Sequence, residues 1–199
     1  MKPYSESCEQ NRQPIINILK VEFATCQHVL EIGSGTGQHA VYFAPDLPHL
    51  NWHTSDRSEN HDAIKLWLEE ARLENITGPH ELDVDQNHWP LHDQIKLDAV
   101  FSANSTHIMG WSSVVNMFSG IGKLLQTNGV FCLYSPFNYN GQFTSTSNAN
   151  FDVWLKQRDP QSGVRDFEAV NELAEQNNMQ LKQDYEMPAN NRMLVWIKK

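Results

Sequence analysis

The sequence predicts an α/β domain: a seven-stranded, mostly parallel sheet with helices on both faces and an antiparallel hairpin at its C-terminal end. Two patterns predict it. Short apolar strands alternate with stretches of helical periodicity up to about residue 134, which is the pattern of βα units and a parallel sheet. The last two apolar runs, 181–186 and 193–198, are joined only by the turn segment Pro188-Ala189-Asn190-Asn191. Such a short connection permits an antiparallel pair, since parallel neighbours need a long crossover.

Each element has its own reason. Residues 14–24 read as a short helix: Pro14 suits a first helical turn, and Ile15, Ile18, Leu19 and Phe23 share one face. Residues 27–32 form the first strand. A helix begins at 38–43 and is stopped by Pro45 and Pro48. Residues 51–55 form the second strand, ending at Asp56. Residues 60–74 are helical, with Ile64, Leu66, Trp67, Leu68, Ala71 and Leu73 supplying apolar surface. A brief third strand at 80–82 leads to Asp83, and 97–102 is the fourth. A helix at 113–126 carries Val114, Phe118, Ile121 and Leu125 near a helical period. Asn128-Gly129 then turns the chain into a fifth strand at 130–134. Residues 135–149 are rich in Asn, Ser, Thr and Gly and read as a long loop of the kind that forms lids. Two helices follow, at 151–158 and 166–176. No repeat or linker divides the 199 residues, so residues 1–199 are expected to form one domain.

Composition narrows the function. Net charge is −9 and no basic tract is present, which argues against nonspecific nucleic-acid binding. No apolar run approaches a membrane span, and the first thirteen residues are polar, unlike a signal peptide. Cys8, Cys26 and Cys132 are odd in number and lack metal-ligand spacing, so a reducing, cytoplasmic compartment is expected. His49/His53 and His88/His92 are four residues apart, but their proline-containing or strand-like surroundings would not align them on a metal. The expected partner is a small molecule rather than nucleic acid or membrane. Oligomeric state is left open.

The most informative stretch is Val29-Leu30-Glu31-Ile32-Gly33-Ser34-Gly35-Thr36-Gly37-Gln38-His39. A strand ends in an acid, three glycines follow at alternate positions, and a helix starts. Such a loop lets backbone approach a ligand and presents amide N–H groups at a helix N-terminus. The dinucleotide fingerprint needs its third glycine one residue later, where Gln38 stands, and a phosphate P-loop needs a lysine that is missing. The motif resembles the first motif of class I S-adenosylmethionine-dependent methyltransferases, which have a Rossmann-like fold.

Ligands of open α/β sheets sit at the carboxyl ends of the strands. Asp56 there could accept both ribose hydroxyls of a nucleoside, or cap the following helix. Glu31 could hold a cofactor ammonium through water, or order the glycine loop. Asn104 could line the methionine end of the cofactor. His107 could act as a general base, or pack under its loop. Arg12 could pair with the cofactor carboxylate as an N-terminal lid closes, or lie on the surface. Tyr139 and Asn140 could touch substrate. Trp67, Trp89, Trp111 and Trp154 read as core or loop anchors.

A narrower resemblance spans essentially the whole chain. Asn11-Arg12-x-Pro14-Ile15, the glycine motif with His39, Asn104-x-x-His107-Ile108, Tyr134-x-Pro136-Phe137, Ser147-Asn148-x-x-Phe151-Asp152, Gly163-x-Arg165-Asp166 and Met187-Pro188-Ala189-Asn190-Asn191 resemble the family of methyltransferase-like protein 26. Ser135 and Ser162 depart from its pattern, which has glycine and tryptophan there. The resemblance implies the class I fold and S-adenosylmethionine. It implies cofactor contacts from Gly33, Ser34, Gly35 and Gly37, from Asp56 with Arg57, and from Asp83 with Val84 at the adenine, Asp83 having a turn role as its alternative. It implies no particular substrate. The expectation is a methyltransferase acting on a small molecule, with His107 and Tyr139 as catalytic candidates. The alternative is a non-catalytic S-adenosylmethionine-binding sensor or scaffold. No Asp-Pro-Pro-Tyr type motif follows the fourth strand, which disfavours methylation of base amino groups. Glycine spacing and the lack of a Tyr-x-x-x-Lys pair disfavour a nicotinamide enzyme.

Overall fold

The structure is a computed structural model and describes residues 2–91 and 95–199. In chain order the elements are α1 (Glu6–Glu22), β1 (His28–Ile32), α2 (Gln38–Phe43), β2 (Asn51–Asp56), α3 (His61–Ala71), β3 (Ile76–Glu81), β4 (Leu97–Ala103), α4 (Trp111–Leu124) and β5 (Leu125–Ser135). Then come β6 (Phe137–Tyr139), β7 (Gln142–Phe143), α5 (Thr146–Arg158), β8 (Arg165–Asp166), α6 (Phe167–Gln176), β9 (Met179–Met187) and β10 (Asn191–Lys198).

Seven strands form one sheet in the order β3-β2-β1-β4-β5-β10-β9. The pairs from β3 to β5 are parallel, and β10 runs antiparallel to both β5 and β9. This is the Rossmann-like class I methyltransferase architecture with its C-terminal hairpin, as the sequence predicts. Strand alternation sorts the core into two layers. Leu30, Val100, Phe131, Leu133, Leu194 and Trp196 face α4 and α6 on one side. Val29, Phe101, Cys132, Met193 and Val195 face α1 and α2 on the other. Strand order reverses at β1, flanked by β2 and β4, so loops leaving the two carboxyl ends diverge and open a crevice. No described helix is long and apolar enough to cross a membrane.

Several elements differ from expectation, among them β3, which spans Ile76–Glu81 rather than 80–82. The first helix begins at Glu6 rather than near Pro14, because Ser5 caps it: its Oγ accepts the Cys8 N–H at 3.3 Å. Pro14 therefore lies inside the helix. Residues 135–149 are not a bare loop. They hold β6, β7 and the start of α5, and β7-β6-β8 form a second, three-stranded sheet. Asn128, at φ 67°, does not start a new strand. It sits within β5, where the register against β4 shifts between Leu97 and Ala99.

Candidate functional site

The glycine loop spans the crevice. Gly33, Gly35 and Gly37 all take positive φ, at 75°, 59° and 86°. Only glycine enters that region without strain, which explains the alternation. The N–H groups of Gly33 and Ser34 both donate to the Ser55 carbonyl, at 3.1 and 3.0 Å, tying the loop to β2.

Glu31 orders this loop from beneath. It is 2% exposed, and its Oε2 accepts hydrogen bonds from Ser34 Oγ at 2.9 Å and Trp52 Nε1 at 3.0 Å. Burial pushes its carboxyl up to about 7. Asp56 supports the loop from the side. Its Oδ2 accepts the Gly35 N–H at 2.7 Å, while its Oδ1 accepts from Arg57 N–H and Asn60 Nδ2, both at 2.8 Å. Asn60, not Asp56, occupies the N-cap position of α3. Gln38, at the position of the dinucleotide fingerprint's third glycine, ties the loop to the N-terminal segment. Its Oε1 accepts the Ser5 N–H and its Nε2 donates to the Ser5 carbonyl, clamping the start of α1 onto the loop.

Over the loop lies a cavity of about 1070 Å³. Its walls come from α1 (Cys8, Asn11), the glycine loop, the turn after β2 (Glu59, Asn60), the loop after β4 (Asn104, His107), the end of β5 (Tyr134, Pro136), α5 and the 188–191 turn. Nothing lies within 4 Å of a Cβ built on Gly35, so the loop faces open space there. The wall includes one carboxylate, Glu59, and one guanidinium, Arg158, among the described residues. Two wall histidines are uncharged near neutrality, because burial pushes His39 and His107 down to about 4. His39 Nε2–H donates to Asn11 Oδ1 at 2.7 Å, a buried pair that joins α1 to α2. His107 is 4% exposed, with Nδ1 2.9 Å from Ser135 Oγ and its ring edge-on to Phe151, 5.2 Å between centroids.

The structure thus brings Gly33, Ser34, Gly35, Asn104 and His107 to one cavity, with Glu31 and Asp56 bracing the loop behind it. It does not bring the others there. Tyr139 stacks on Phe167 of α6 at 5.1 Å and donates to Asp184 Oδ2 of β9 at 2.7 Å, so its hydroxyl is committed toward β9. Arg12 pairs with Glu9 and lies over the Tyr42 ring, and it does not join Asn11 in lining the cavity. Arg57 is exposed and paired with Glu59. Asp83 closes a turn, its Oδ1 accepting the Asp85 N–H at 3.0 Å, and Val84 lines a separate depression of about 210 Å³ beside Trp89. The His88/His92 pair reaches outside the described residues at His92.

Sequence reasoning places a helix at 151–158 but gives it no part in the site; in the structure it is α5. Ser147, Asn148, Phe151, Trp154, Leu155 and Arg158 recur every three to four residues and all line the cavity. That spacing is visible in the sequence, but Trp154 reads there as an anchor. In the structure it is 47% exposed on the cavity wall.

Solved structures share this fold at low identity. An O-methyltransferase family protein from Burkholderia thailandensis aligns at TM-score 0.82 and 12% identity, over 94% of this chain and 56% of that one. An O-methyltransferase family 2 protein from Planctomyces limnophilus, in complex with apigenin, aligns at 0.84 and 11%, over 97% and 58%. Human N-acetylserotonin methyltransferase, in complex with S-adenosylmethionine, aligns at 0.73 and 14%, over 94% and 54%. The chain therefore spans little more than half the length of these proteins, and the likeness establishes the fold. Residues 2–198 match the family described as "Protein of unknown function (DUF938)", and the chain belongs to that family.

Proposed function

We propose that this protein is a cytoplasmic S-adenosylmethionine-dependent methyltransferase that methylates a small molecule at oxygen. The observation that carries the reading is the juxtaposition, in one cavity, of the open glycine loop and His107. Several of the similar structures are O-methyltransferases, which supports it by analogy of fold. The finer kinship with methyltransferase-like protein 26 rests on the sequence segments quoted above.

The residues present suit this cofactor. Gly33, Ser34 and Gly35 offer close backbone approach, Glu59 and Asn60 are polar wall groups beside Asp56, and Asn104 lies across the loop. A cavity of about 1070 Å³ has room for a nucleoside and a small acceptor together. When bound, held by Gly33, Ser34 and Gly35, the cofactor would supply an electrophilic methyl group from its sulfonium to an acceptor hydroxyl and leave as the neutral thioether. His107, neutral at physiological pH, takes the hydroxyl proton at its ring and releases it to solvent. Asn11, Tyr134 and Phe151 exclude water around it and help to align the acceptor.

The test is calorimetry with S-adenosylmethionine, S-adenosylhomocysteine and NAD, followed by a methyl-acceptance screen over small hydroxyl compounds. Micromolar binding of the first two and transfer to oxygen are expected. Absence of heat with both, or NAD binding in their place, rejects the reading.

A further inference from the structure

We propose that the methyl acceptor is a hydroxylated aromatic carboxylic acid, its ring lying along α5 and its carboxylate bound by Arg158. The inference rests on the methyltransferase reading and deepens it by naming the substrate class.

Helix α5 turns one row of its residues toward the cavity. Phe151, Trp154, Leu155 and Arg158 stand at spacings of three, one and three, so they share a face. The Phe151 and Trp154 rings are nearly parallel, with centroids 5.7 Å apart and planes 17° apart. Stacked on one another, they present a row of apolar ring edges to the cavity, against which an aromatic ligand packs edge to face. Trp154 is exposed where it lines the cavity, its ring set between Phe151 and Arg158.

At the end of the stripe, the Arg158 guanidinium lies 4.6 Å from the Trp154 ring centroid. A guanidinium stacked on an indole is held flat while its N–H edge stays available for a forked hydrogen-bond pair to a carboxylate. Arg158 forms no ion pair among the described residues, whereas Lys156 on the same helix is neutralised by Asp152 at 2.7 Å. Glu59, the carboxylate of the cavity wall, comes from the β2 side and is paired with Arg57, so among the described residues Arg158 is the wall charge without an ion pair and an anionic end is favoured toward α5.

The other end of the slot is chemical. His107 meets Phe151 edge-on at the start of the stripe. Phe151 and Arg158 are seven residues apart, about 10 Å along a helix. A ligand with its hydroxyl at His107 and its acid at Arg158 must span that distance through a flat ring. A phenol bearing its carboxylate on a short unsaturated arm meets both demands. A fully neutral acceptor would leave the guanidinium unmatched.

The test is titration of the protein saturated with S-adenosylhomocysteine, using matched acids and methyl esters of increasing reach: para-hydroxybenzoate, para-hydroxyphenylacetate and para-hydroxycinnamate. At least one acid is expected to bind about tenfold more tightly than its ester, as a charge-assisted pair allows. The longest is expected to bind best. Arg158→Gln should abolish the preference while leaving ester and S-adenosylhomocysteine affinities unchanged. Trp154→Ala should weaken acid and ester alike. Equal binding of acids and esters, no binding of any pair, or an acid preference that survives Arg158→Gln overturns the proposal and leaves the methyltransferase reading standing. Failure of S-adenosylhomocysteine itself to bind removes both.

Discussion

His107 and Ser135 form a buried pair across the ends of β4 and β5, with His107 Nδ1 2.9 Å from Ser135 Oγ. Thr106 Oγ1 donates to the same Ser135 oxygen at 3.4 Å, so the serine is the hub of a small network under the cavity. One ring nitrogen of His107 is thereby occupied and the ring orientation is fixed. Ser135→Ala leaves a buried ring nitrogen without a partner, which costs about 1–3 kcal/mol. The expected outcome is a lower melting temperature and lower turnover, with S-adenosylhomocysteine affinity intact. Calorimetry and single-turnover assays check it. Unchanged turnover would remove Ser135 from the positioning role.

His107 stays neutral well into the acid range. Burial, helped by the Arg165 charge, pushes it down to about 4. Its proton-accepting form therefore persists through pH 5, and the acid limb of kcat/KM should fall near 4 rather than near the ordinary value of 6.5. His107→Ala should lower turnover by about 10²–10⁴-fold, the range for losing a positioned acid–base group. Tyr139→Phe, which only removes the bond to Asp184, should leave turnover unchanged. A limb centred on 6.5, or full activity in His107→Ala, contradicts this assignment.

Asp56 carries three hydrogen bonds that shape the cofactor end. Asp56→Ala releases the Gly35 and Arg57 N–H groups and Asn60 together. Cofactor affinity and melting temperature are both expected to fall, affinity by roughly 2–4 kcal/mol. A fall in one without the other, measured by calorimetry beside thermal denaturation, would show that the carboxylate serves only the ligand or only the fold.

The glycines separate stability from binding. A Cβ on Gly37 would approach Ile64 Cα at 3.3 Å, and φ is 86° there, so Gly37→Ala meets both strain and crowding. A Cβ on Gly35 meets nothing, so Gly35→Ala carries only the left-handed strain, about 1–2 kcal/mol. Its methyl would instead occupy the cavity floor. Gly37→Ala is expected to lower the melting temperature more, and Gly35→Ala to weaken cofactor binding more than its stability loss implies. Parallel melting and binding curves decide it.

Two buried charge types give opposite pH trends. His39, His53 and His107 are each pushed down to about 4 by burial, so the unfolded chain binds more protons between pH 6.5 and 4. Stability is full above 6.5 and is lost as pH falls through that window, on the order of 3 kcal/mol per fully buried histidine. Glu31 acts the other way. Raised to about 7, it favours the protonated folded state, and its stabilisation is lost as pH climbs from 4.5 to 7. Glu31→Gln keeps an acceptor for Trp52 and Ser34 without the ionisation. It should therefore be more stable than the parent at pH 8, with the advantage vanishing near pH 4.5. Urea denaturation at both values checks the sign.

Local sequence suffices for the strand–helix alternation, the hairpin, the glycine loop and the acid after β2. These depend on short-range rules: side-chain period, turn chemistry and the positive φ that only glycine takes freely. Distant partners obey no such rule. Tyr139 and Asp184 are 45 residues apart, Asn11 and His39 28, and Glu31 and Trp52 21. A single polar contact of this kind is worth about 1 kcal/mol net and leaves no period in the chain. Tertiary packing alone decided that Tyr139 turns toward α6 and β9, that Asn11 rather than Arg12 reaches the cavity, and that Glu31 braces the loop. It also decided the role of α5, whose helical stripe is plain in the sequence. A stripe of Phe, Trp and Leu fits a core as well as a cavity, and only the placement of α5 over the open ends of β4 and β5 leaves Trp154 and Arg158 facing space.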